Sequence, residues 1–456
     1  MINLNKDMHI HFIGIGGIGN SAIAKILLNQ GFKISGSDIK KSEITQDLSK
    51  KGAIINIGHK KENVQKADLV VFSSAITNKN PEMIQAENKN IEIINRAEML
   101  GYLIDKYKKS IGISGTHGKT TTTSMITHIM NELDLNPTAL IGGNLESING
   151  NTAIGDTKDI IITEACEYKK NFLNLKPTYG IILNIEEDHL DYFEDINDIA
   201  ESFIEFAKNI DENGALIVNN DNYNTKRIEQ YVESEYITIG IEQESDYQAK
   251  NITFDENSFP TFEIYNNKKS LGNCTLSVPG KHNIYNALSA IVLSNIFIKD
   301  INKVIKAISS FKGVHRRFEF KGEFNKAKIV DDYAHHPTEI KATLNAAKKM
   351  SYKKIKCIFQ PHTFSRTKEL LNEFAIAFKE ADEIIITDIY GAREENTYDI
   401  SSKDLVKEIN KNHSNVKYIG SIKECSDFLK ENIKENELVL LLGAGDINKI
   451  SDYLLK

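Results

Sequence analysis

The segment at residues 110–124, which reads SIGISGTHGKTTTTS, constrains the fold more than any other part of this chain. A short apolar strand runs into a glycine turn, and Met125, Ile126 and Ile129 then recur at helical spacing. Such a turn points backbone N–H groups at one spot, where the positive end of the helix dipole adds to them. The segment therefore predicts a strand–loop–helix unit that binds the phosphates of a nucleoside triphosphate.

Two side chains of this loop have the chemistry that phosphate binding needs. Lys119 places an ammonium beside the phosphates, and Thr120 offers a hydroxyl to a magnesium ion. The usual phosphate loop has a glycine five places before Gly118, whereas this chain has Ile113 there and its first glycine is Gly115. A threonine-rich helix cap is the alternative interpretation, although four consecutive threonines are poor helix formers.

Composition bounds the class of protein. A chain of 456 residues with 26% charged and 41% hydrophobic residues is typical of a soluble protein of two to four domains. No run approaches the roughly 20 apolar residues of a membrane helix, and the first residues lack a signal-peptide layout. Four widely spaced cysteines favour reduced thiols, and the net charge of −7 argues against nucleic acid. We therefore expect a cytoplasmic protein without nucleic-acid binding or membrane insertion.

Strand and helix patterns divide the chain into three α/β blocks, which we predict as domains at residues 1–108, 109–314 and 315–456. The first and third alternate strands with helices, as Rossmann-like domains do. The second begins with the phosphate loop and changes to short alternating segments between about residues 247 and 278, which indicates antiparallel hairpins. The expected fold class is thus α/β, with two Rossmann-like domains around a central phosphate-loop domain that has a small antiparallel portion.

The first strand is followed by a second glycine-rich turn with Gly14, Gly16, Gly17 and Gly19. Its G-x-G-G-x-G spacing differs from the dinucleotide fingerprint G-x-G-x-x-G, and Asp38 lies where a ribose-binding acid is expected. Diphosphate binding is the favoured interpretation. Close helix–strand packing and nicotinamide binding remain alternatives.

Two segments of the central block point to a cation. Glu164 ends an apolar strand, where ligand groups of parallel sheets gather. His189, flanked by Asp188 and Asp191, offers the donor types that metal ions bind. With a triphosphate loop upstream, these groups predict a metal site at the γ-phosphate, and a capping or surface role is the alternative for Glu164.

The end of the central block has further polar candidates. His282, Asn283 and Asn286 lie in VPGKHNIYN, where an asparagine either caps the helix or pairs with a nucleobase edge. Arg316 and Arg317 lie at the predicted domain junction, where a cation could reach the phosphates. An interdomain salt bridge is the alternative for these arginines.

In the third block, three successive strands end in polar residues at the same predicted sheet edge. These residues are Asp331, Asp332, Tyr333, His335 and His336; then His362 and Arg366; then Asp388, Tyr390 and Arg393. One polar strand end is usually a solvated loop, but three together favour a binding site.

The order of these motifs resembles that of the Mur ligase family. G-T-H-G-K-T-T, the acid after the next strand, N-I-x-x-D-H, P-G-K-H-N, R-R-F, D-D-Y-A-H-H-P and Q-P-H-T-F-S-R follow one another as they do in that family, over essentially the whole chain. The resemblance implies a ligase that uses ATP and Mg²⁺ to join L-alanine to UDP-N-acetylmuramate through an acyl phosphate, in cytoplasmic peptidoglycan precursor synthesis, as a monomer or weak dimer.

The resemblance also implies which residues contact each group. The UDP part would contact Gly14, Gly16, Gly17, Ile18, Gly19, Asp38, Ser73, Ser74 and Arg96. ATP would contact Gly115, Thr116, His117, Gly118, Lys119, Thr120, Thr121, His282, Asn283, Asn286, Arg317 and Asp332. The amino acid would contact Tyr333, Arg366 and Arg393, the metal ion would be held by Thr120, Glu164 and His189, and catalysis would involve Lys119, Glu164, His189, His336 and Arg366.

The chain departs from the family pattern at two places. Several members have a carbamylated lysine some way after the histidine of the D-H motif, whereas this chain has Phe203, Ile204 and Glu205 there, so Glu205 or water would serve instead. Some alanine-adding members have an arginine where this chain has Thr363, so a role of that arginine does not carry over to this chain.

Three other functions remain as alternatives. A related ligase could add another amino acid or a recycled tripeptide to the same nucleotide. A nicotinamide-dependent oxidoreductase would use the first glycine loop, but it leaves residues 110–124 unexplained. A nucleotide-gated binding module would bind ATP without any turnover.

Overall fold

The computed structural model describes residues 4–392 and 394–456. The chain forms three β-sheets in succession, each with helices packed against it and a mostly parallel order. The α/β prediction is confirmed. The domain limits at residues 108 and 314 stay predictions. Among the described residues, no helix is both long enough and apolar enough to cross a lipid bilayer.

The first sheet has five parallel strands in the order β3-β2-β1-β4-β5. Its elements are β1 (His9–Ile13), α1 (Ile18–Asn29), β2 (Lys33–Asp38), α2 (Glu43–Lys50), β3 (Ile54–Ile57), β4 (Leu69–Phe72), α3 (Pro81–Asn88), β5 (Glu92–Asn95) and α4 (Arg96–Ile104). The strand order reverses at β1, so a crevice opens at its carboxyl end, where the first glycine loop lies.

The second sheet has ten strands in the order β15-β14-β13-β12-β11-β10-β6-β9-β7-β8. Its strands are β6 (Lys109–Ser114), β7 (Thr138–Leu145), β8 (Gly150–Ala153), β9 (Ile160–Glu164), β10 (Tyr179–Ile182), β11 (Ala215–Asn219), β12 (Glu235–Gly240), β13 (Tyr247–Phe254), β14 (Pro260–Asn266) and β15 (Lys269–Thr275). Its helices are α5 (Lys119–Glu132), α6 (Ile196–Lys208), α7 (His282–Ile298) and α8 (Ile301–Ser309). Strands β13 to β15 pair antiparallel, as the alternating segments predict.

The third sheet has six strands in the order β16-β17-β21-β18-β19-β20, and only the edge strand β16 pairs antiparallel. Its strands are β16 (Glu319–Phe324), β17 (Ala327–Asp332), β18 (Lys354–Phe359), β19 (Glu383–Ile386), β20 (Val416–Tyr418) and β21 (Glu437–Leu442). Its helices are α9 (Pro337–Lys348), α10 (Phe364–Glu369), α11 (Leu371–Ala375), α12 (Ser402–Ile409), α13 (Ile422–Asn432) and α14 (Lys449–Leu455). Because β17, β18 and β19 run parallel, the three polar strand ends lie at one edge of the sheet. Helix α9, which follows β17, contacts the phosphate loop, since Glu339 lies 3.3 Å from His117.

Candidate active site

The phosphate loop connects the buried strand β6 to helix α5, and glycine is required at both of its turns. Gly115 has φ +137° and Gly118 has φ +88°, in the region that side chains with a Cβ avoid. A Cβ on Gly118 would lie 2.5 Å from Oδ1 of Asn286. The loop is also held by Asn184, whose side-chain oxygen accepts the His117 N–H at 2.8 Å. Ile113, at the place of the missing glycine, is a buried strand residue.

Lys119 is bound by a carboxylate that the sequence motifs did not single out. Its Nζ lies 2.8 Å and 3.0 Å from the two carboxylate oxygens of Glu167, and it also donates to the carbonyls of Gly115 and Thr116. Burial opposes the charge on Lys119, but Glu167 outweighs it and raises the pKa of Lys119. The only sequence signal for Glu167 is a second acid three places after Glu164.

The three predicted metal ligands lie around one cavity at the junction of the sheets. Glu164 accepts the Gly142 N–H at 2.6 Å, and a Cβ on Gly143 would lie 3.2 Å from the Thr120 side chain, so both groups flank the same two glycines of β7. Nε2 of His189 lies 3.9 Å from Glu167, and His189 has a left-handed φ of +57°. A carboxylate, a hydroxyl and an imidazole with a second carboxylate beside it form a donor set that fits a divalent cation.

Glu205 lies away from this cation site, so the expectation that it substitutes for a carbamylated lysine is not supported. Its side chain is 57% exposed and pairs with Lys208 at 2.7 Å. Phe203 is buried against Phe172, with ring centroids 5.1 Å apart. The helix α6 therefore presents its apolar face to the core at this position.

His117 connects the phosphate loop to the third domain. Its two ring nitrogens lie 3.5 Å from Glu186 and 3.3 Å from Glu339, which is on α9. Burial opposes protonation, but the two carboxylates outweigh it and raise the pKa of His117 to about 10. One ligand atom each of His117, Glu186 and His336 lies within 4.8 Å of the others, so these side chains form a compact interdomain cluster.

The neighbouring histidines of the third domain have different surroundings. His336 caps α9 through a 3.3 Å hydrogen bond from the Thr338 N–H, and its Nε2 lies 2.9 Å from the Glu187 carbonyl. These two contacts are structural and do not test the catalytic role of His336, which stays a prediction. His335 lines the junction cavity, and burial, reinforced by Arg366, lowers the pKa of His335 to about 3 against the effect of Glu339.

The junction cavity has a volume of about 540 Å³ and is lined by all three domains. Ile18 belongs to the first domain; Lys119 and Glu164 belong to the second; Arg317 and Tyr333 belong to the third. The guanidinium groups of Arg316 and Arg317 lie 5.1 Å and 5.0 Å from the centre of the Tyr333 ring. Groups bound to the two glycine loops can therefore meet next to residues of the third domain.

A second cavity of about 320 Å³, here named the amide-lined cavity, adjoins the phosphate loop. The predicted residues that line it are His117, Gly118, Thr121, His282, Asn283, Asn286, Arg317 and Asp332. Burial raises the pKa of Asp332 to about 6 although Arg317 opposes the shift. The sequence analysis missed Asp221 and Tyr285 in this cavity, where the Tyr285 hydroxyl donates to Asp221 at 2.8 Å.

A third cavity of about 440 Å³, here named the acidic cavity, lies between the D-H segment and the third sheet. Arg366 spans the domains, donating from Nε and Nη2 to Oδ1 of Asp188 at 3.1 Å and 3.0 Å. Burial opposes ionisation, but Arg366 holds the pKa of the Asp188 carboxyl well below its usual range. Thr363 and Tyr390 also line this cavity, whereas Arg393 lies outside the described residues.

The first glycine loop brings together most of its predicted contacts. The Gly16 N–H donates to Asp38 at 2.9 Å, and a Cβ on Gly19 would lie 3.0 Å from Arg96. A Cβ on Gly14 would lie 3.3 Å from Ser73, and Ser74 follows in an exposed turn. Gly17 precedes α1, which begins at Ile18 and extends this site into the junction cavity.

Comparison with known proteins agrees with this arrangement. Sequence models of the Mur ligase family match in chain order: its catalytic domain at residues 9–108, its middle domain at 113–294 and its glutamate ligase domain at 316–445.

Two similar relatives are called UDP-N-acetylmuramate–L-alanine ligase. The one from Clostridium novyi is 47% identical, and the one from Alkaliphilus metalliredigens is 48% identical, each over 100% of this chain and 99% of its own length. The crystal structure of UDP-N-acetylmuramate-alanine ligase from Thermotoga maritima has a TM-score of 0.83 at 30% identity, with 98% of each chain covered. The chain therefore belongs to the Mur ligase family.

Proposed function

We propose that this chain uses ATP to join L-alanine to the carboxylate of UDP-N-acetylmuramate. The observation that supports it most is the junction cavity, where the two glycine loops and the third domain meet. Two relatives that match over their full length are named for this activity. A site for two nucleotide substrates and an amino acid is the minimum that this reaction requires.

The two nucleotides would occupy the two glycine loops. The diphosphate of UDP would lie on the backbone N–H groups of Gly14–Gly19 at the start of α1, with Arg96 beside it and Asp38 and Ser73 as further contacts. ATP would place its phosphates on residues 115–121 and its base in the amide-lined cavity near Asn283 and Asn286. The muramate carboxylate and the γ-phosphate then meet in the junction cavity.

The bond changes follow from this placement. A carboxylate oxygen attacks the γ-phosphorus, the bond to the bridging oxygen breaks, and ADP leaves with an acyl phosphate behind. The amine of L-alanine then attacks the carbonyl carbon, and the tetrahedral species expels phosphate as the amide forms and the amine loses its protons to the surrounding solution.

The protein's contribution is mainly positioning and charge neutralisation. Lys119 would bind the phosphates, and Thr120, Glu164 and His189 would hold magnesium, which neutralises charge on the transferring group. Arg317, whose Nη2 lies 3.5 Å from Thr120, would reach the same phosphates.

L-alanine would enter between the acidic cavity and the junction cavity. Arg366, with Tyr333 and Arg393 as further contacts, would bind its carboxylate, while the acidic side chains Asp191 and Glu369 would attract its ammonium group. Arg366 bridges the second and third domains through its hydrogen bonds to Asp188, so amino-acid binding would favour approach of the third domain. We further propose that the protein works in the cytoplasm as a monomer or weak dimer.

Product analysis tests this proposal. The protein is incubated with MgATP, UDP-N-acetylmuramate and an equimolar mixture of L-alanine, L-serine, glycine and the recycled tripeptide, and the nucleotide products are weighed by mass spectrometry. We expect the L-alanyl product in excess and phosphate release only with both substrates present. A predominant tripeptide product would assign the recycling activity, and ATP turnover that ignores either substrate would contradict the proposal.

A further inference from the structure

Glu167 is a buried carboxylate of the site that has no role in the reaction described above. It follows β9 by three residues, is 3% exposed, and has both oxygens on the Lys119 ammonium. The same ammonium has to bind phosphate if the loop works as proposed. Phosphate and Glu167 therefore compete for Lys119.

A carboxylate that loses its counter-charge in a buried position is strongly destabilised. Glu167 thus needs a second positive partner when Lys119 contacts phosphate. The structure indicates where that partner would lie, because Nε2 of His189, a proposed cation ligand, is 3.9 Å from Oε1 of Glu167.

The residues around Glu167 hold His189 in a defined place. Tyr168, the next residue, packs its ring against the His189 imidazole at 4.6 Å and donates its hydroxyl to Asp191 at 3.0 Å. The left-handed backbone at His189, with φ +57°, is retained although it is unfavourable for a residue with a Cβ. Glu167 and His189 are therefore arranged as neighbours by two independent segments of the chain.

Glu205, the acid expected to substitute for a carbamylated lysine, does not supply an anion to this site, because its side chain is 57% exposed and bound to Lys208. Glu164, which is half-buried, and Glu167, which is buried, both line the junction cavity together with Lys119 and His189. One oxygen of Glu164 accepts the backbone N–H of Gly142 at 2.6 Å. Both oxygens of Glu167 instead accept from the Lys119 side chain, which can move to another partner.

We propose that Glu167 is a further ligand of the divalent cation, and that it exchanges Lys119 for this cation when the nucleotide binds. The exchange couples cation binding to release of the lysine, so that the ammonium becomes available only as the metal–nucleotide complex enters. This inference rests on the proposed use of ATP and on no feature of the amino-acid substrate.

The test uses Mn²⁺ as the probe and a non-hydrolysable ATP analogue, AMP-PNP, so that turnover is not the readout. Free Mn²⁺ is measured by its electron paramagnetic resonance signal during titration of the intact protein with AMP-PNP present. Glu167→Gln keeps the size and the hydrogen bond to Lys119 but removes the charge. We expect its Mn²⁺ affinity to fall about 10-fold or more, the scale of losing a group that supports a metal site.

AMP-PNP binding without a divalent cation is the second measurement, and it should be unchanged or tighter in Glu167→Gln because Lys119 is held less strongly. Glu205→Gln is the matched control, and it should bind Mn²⁺ as the unmodified protein does. Wild-type Mn²⁺ affinity in Glu167→Gln, or equal losses in both variants, would overturn the inference.

Thermal unfolding of each variant checks that it is folded, and Glu167→Asp replaces Glu167→Gln if the latter is not. That variant keeps the charge on a shorter side chain, so a smaller loss of Mn²⁺ affinity supports the inference and an unchanged affinity contradicts it. If the unmodified protein bound no AMP-PNP at all, the proposed ATP-dependent function would fail instead.

Discussion

Two glycine loops of this molecule use the same backbone device and differ in the charges around it. Both follow an interior strand that pairs in parallel with its two neighbours, and both start a helix, α1 after Gly17 and α5 after Gly118. The first has a carboxylate on its backbone, because Asp38 accepts the Gly16 N–H. The second has a half-buried lysine, Lys119, paired with Glu167, and a further carboxylate, Glu164, in the same cavity.

The difference indicates how one chain handles two phosphorylated nucleotides. A loop without a lysine is suited to bind a diphosphate through N–H groups, the helix dipole and a nearby arginine, and to leave it unreacted. A loop with a lysine and cation-binding carboxylates is suited to a phosphate that is transferred. The side chains, more than the turn itself, decide which phosphate reacts.

The largest expected effect comes from removing the charge that distinguishes the second loop. Lys119→Ala should lower phosphate release by about 10³-fold, the scale of losing a positioned group that stabilises the transition state. The rate is measured with all three substrates, and circular dichroism confirms the fold. A loss of less than tenfold in the rate of phosphate release would mean that the backbone N–H groups of the loop support the reaction without the Lys119 charge.

The second-largest effect concerns Glu82, which binds the residue that holds the backbone of the first loop. The Ser37 carbonyl accepts the N–H groups of Gly14 and Ile15, and its hydroxyl donates to the buried Glu82 at 2.5 Å. Burial raises the pKa of Glu82, but His11 and Ser37 outweigh it and lower the pKa to about 2. A carboxylate with a lowered folded-state pKa stabilises the protein above its unfolded value and loses this stabilisation as pH falls.

Glu82→Gln should therefore remove about 3 kcal/mol of pH-dependent stability, which the unmodified protein loses between about pH 4.5 and pH 2. Urea unfolding of the two proteins from pH 7 to pH 3 measures the difference, which should shrink as the solution is acidified. Glu62→Gln, at an exposed position nearby, is the control. A difference that is constant over this range would assign the effect to packing.

A smaller effect tests whether the first loop binds its ligand through the backbone. A Cβ on Gly16 would lie 2.8 Å from Asp38, so Gly16→Ala should displace the loop. A clash of about 2 kcal/mol would raise KM for UDP-N-acetylmuramate roughly thirtyfold and leave KM for ATP unchanged. Ser49→Ala, at an exposed position of α2 outside the loop, is the control and should leave both KM values unchanged. Equal changes in both KM values would show that the loops are not independent.

The smallest effect concerns the contact between the two loops' domains. Asn151, on the strand β8 of the second sheet, donates to the carbonyl of Ile18 at 2.9 Å and is 3% exposed. Loss of one buried hydrogen bond, about 1 kcal/mol, should raise KM for UDP-N-acetylmuramate about fivefold in Asn151→Ala. Ser147→Ala, at an exposed position before the same strand, should leave it unchanged.

Much of the fold follows from sequence patterns that act locally. Apolar strands that alternate with helices predict parallel sheets, and the short alternating segments after residue 247 form antiparallel strands as expected. The family membership predicted from ordered motifs is confirmed. The roles of single residues, His336 among them, stay predictions.

The sequence by itself determined which groups gather at the junction, because the carboxyl ends of parallel strands lie at one sheet edge whatever the details of packing. Lys119, Glu164 and His189 therefore line one cavity, as the motifs predict. Only the tertiary structure decided that Glu167 binds Lys119, that His335 faces the junction cavity, and that Glu205 points to solvent. Those outcomes depend on turn dihedral angles and on burial by segments distant in the chain, and neither is encoded in the spacing of a motif.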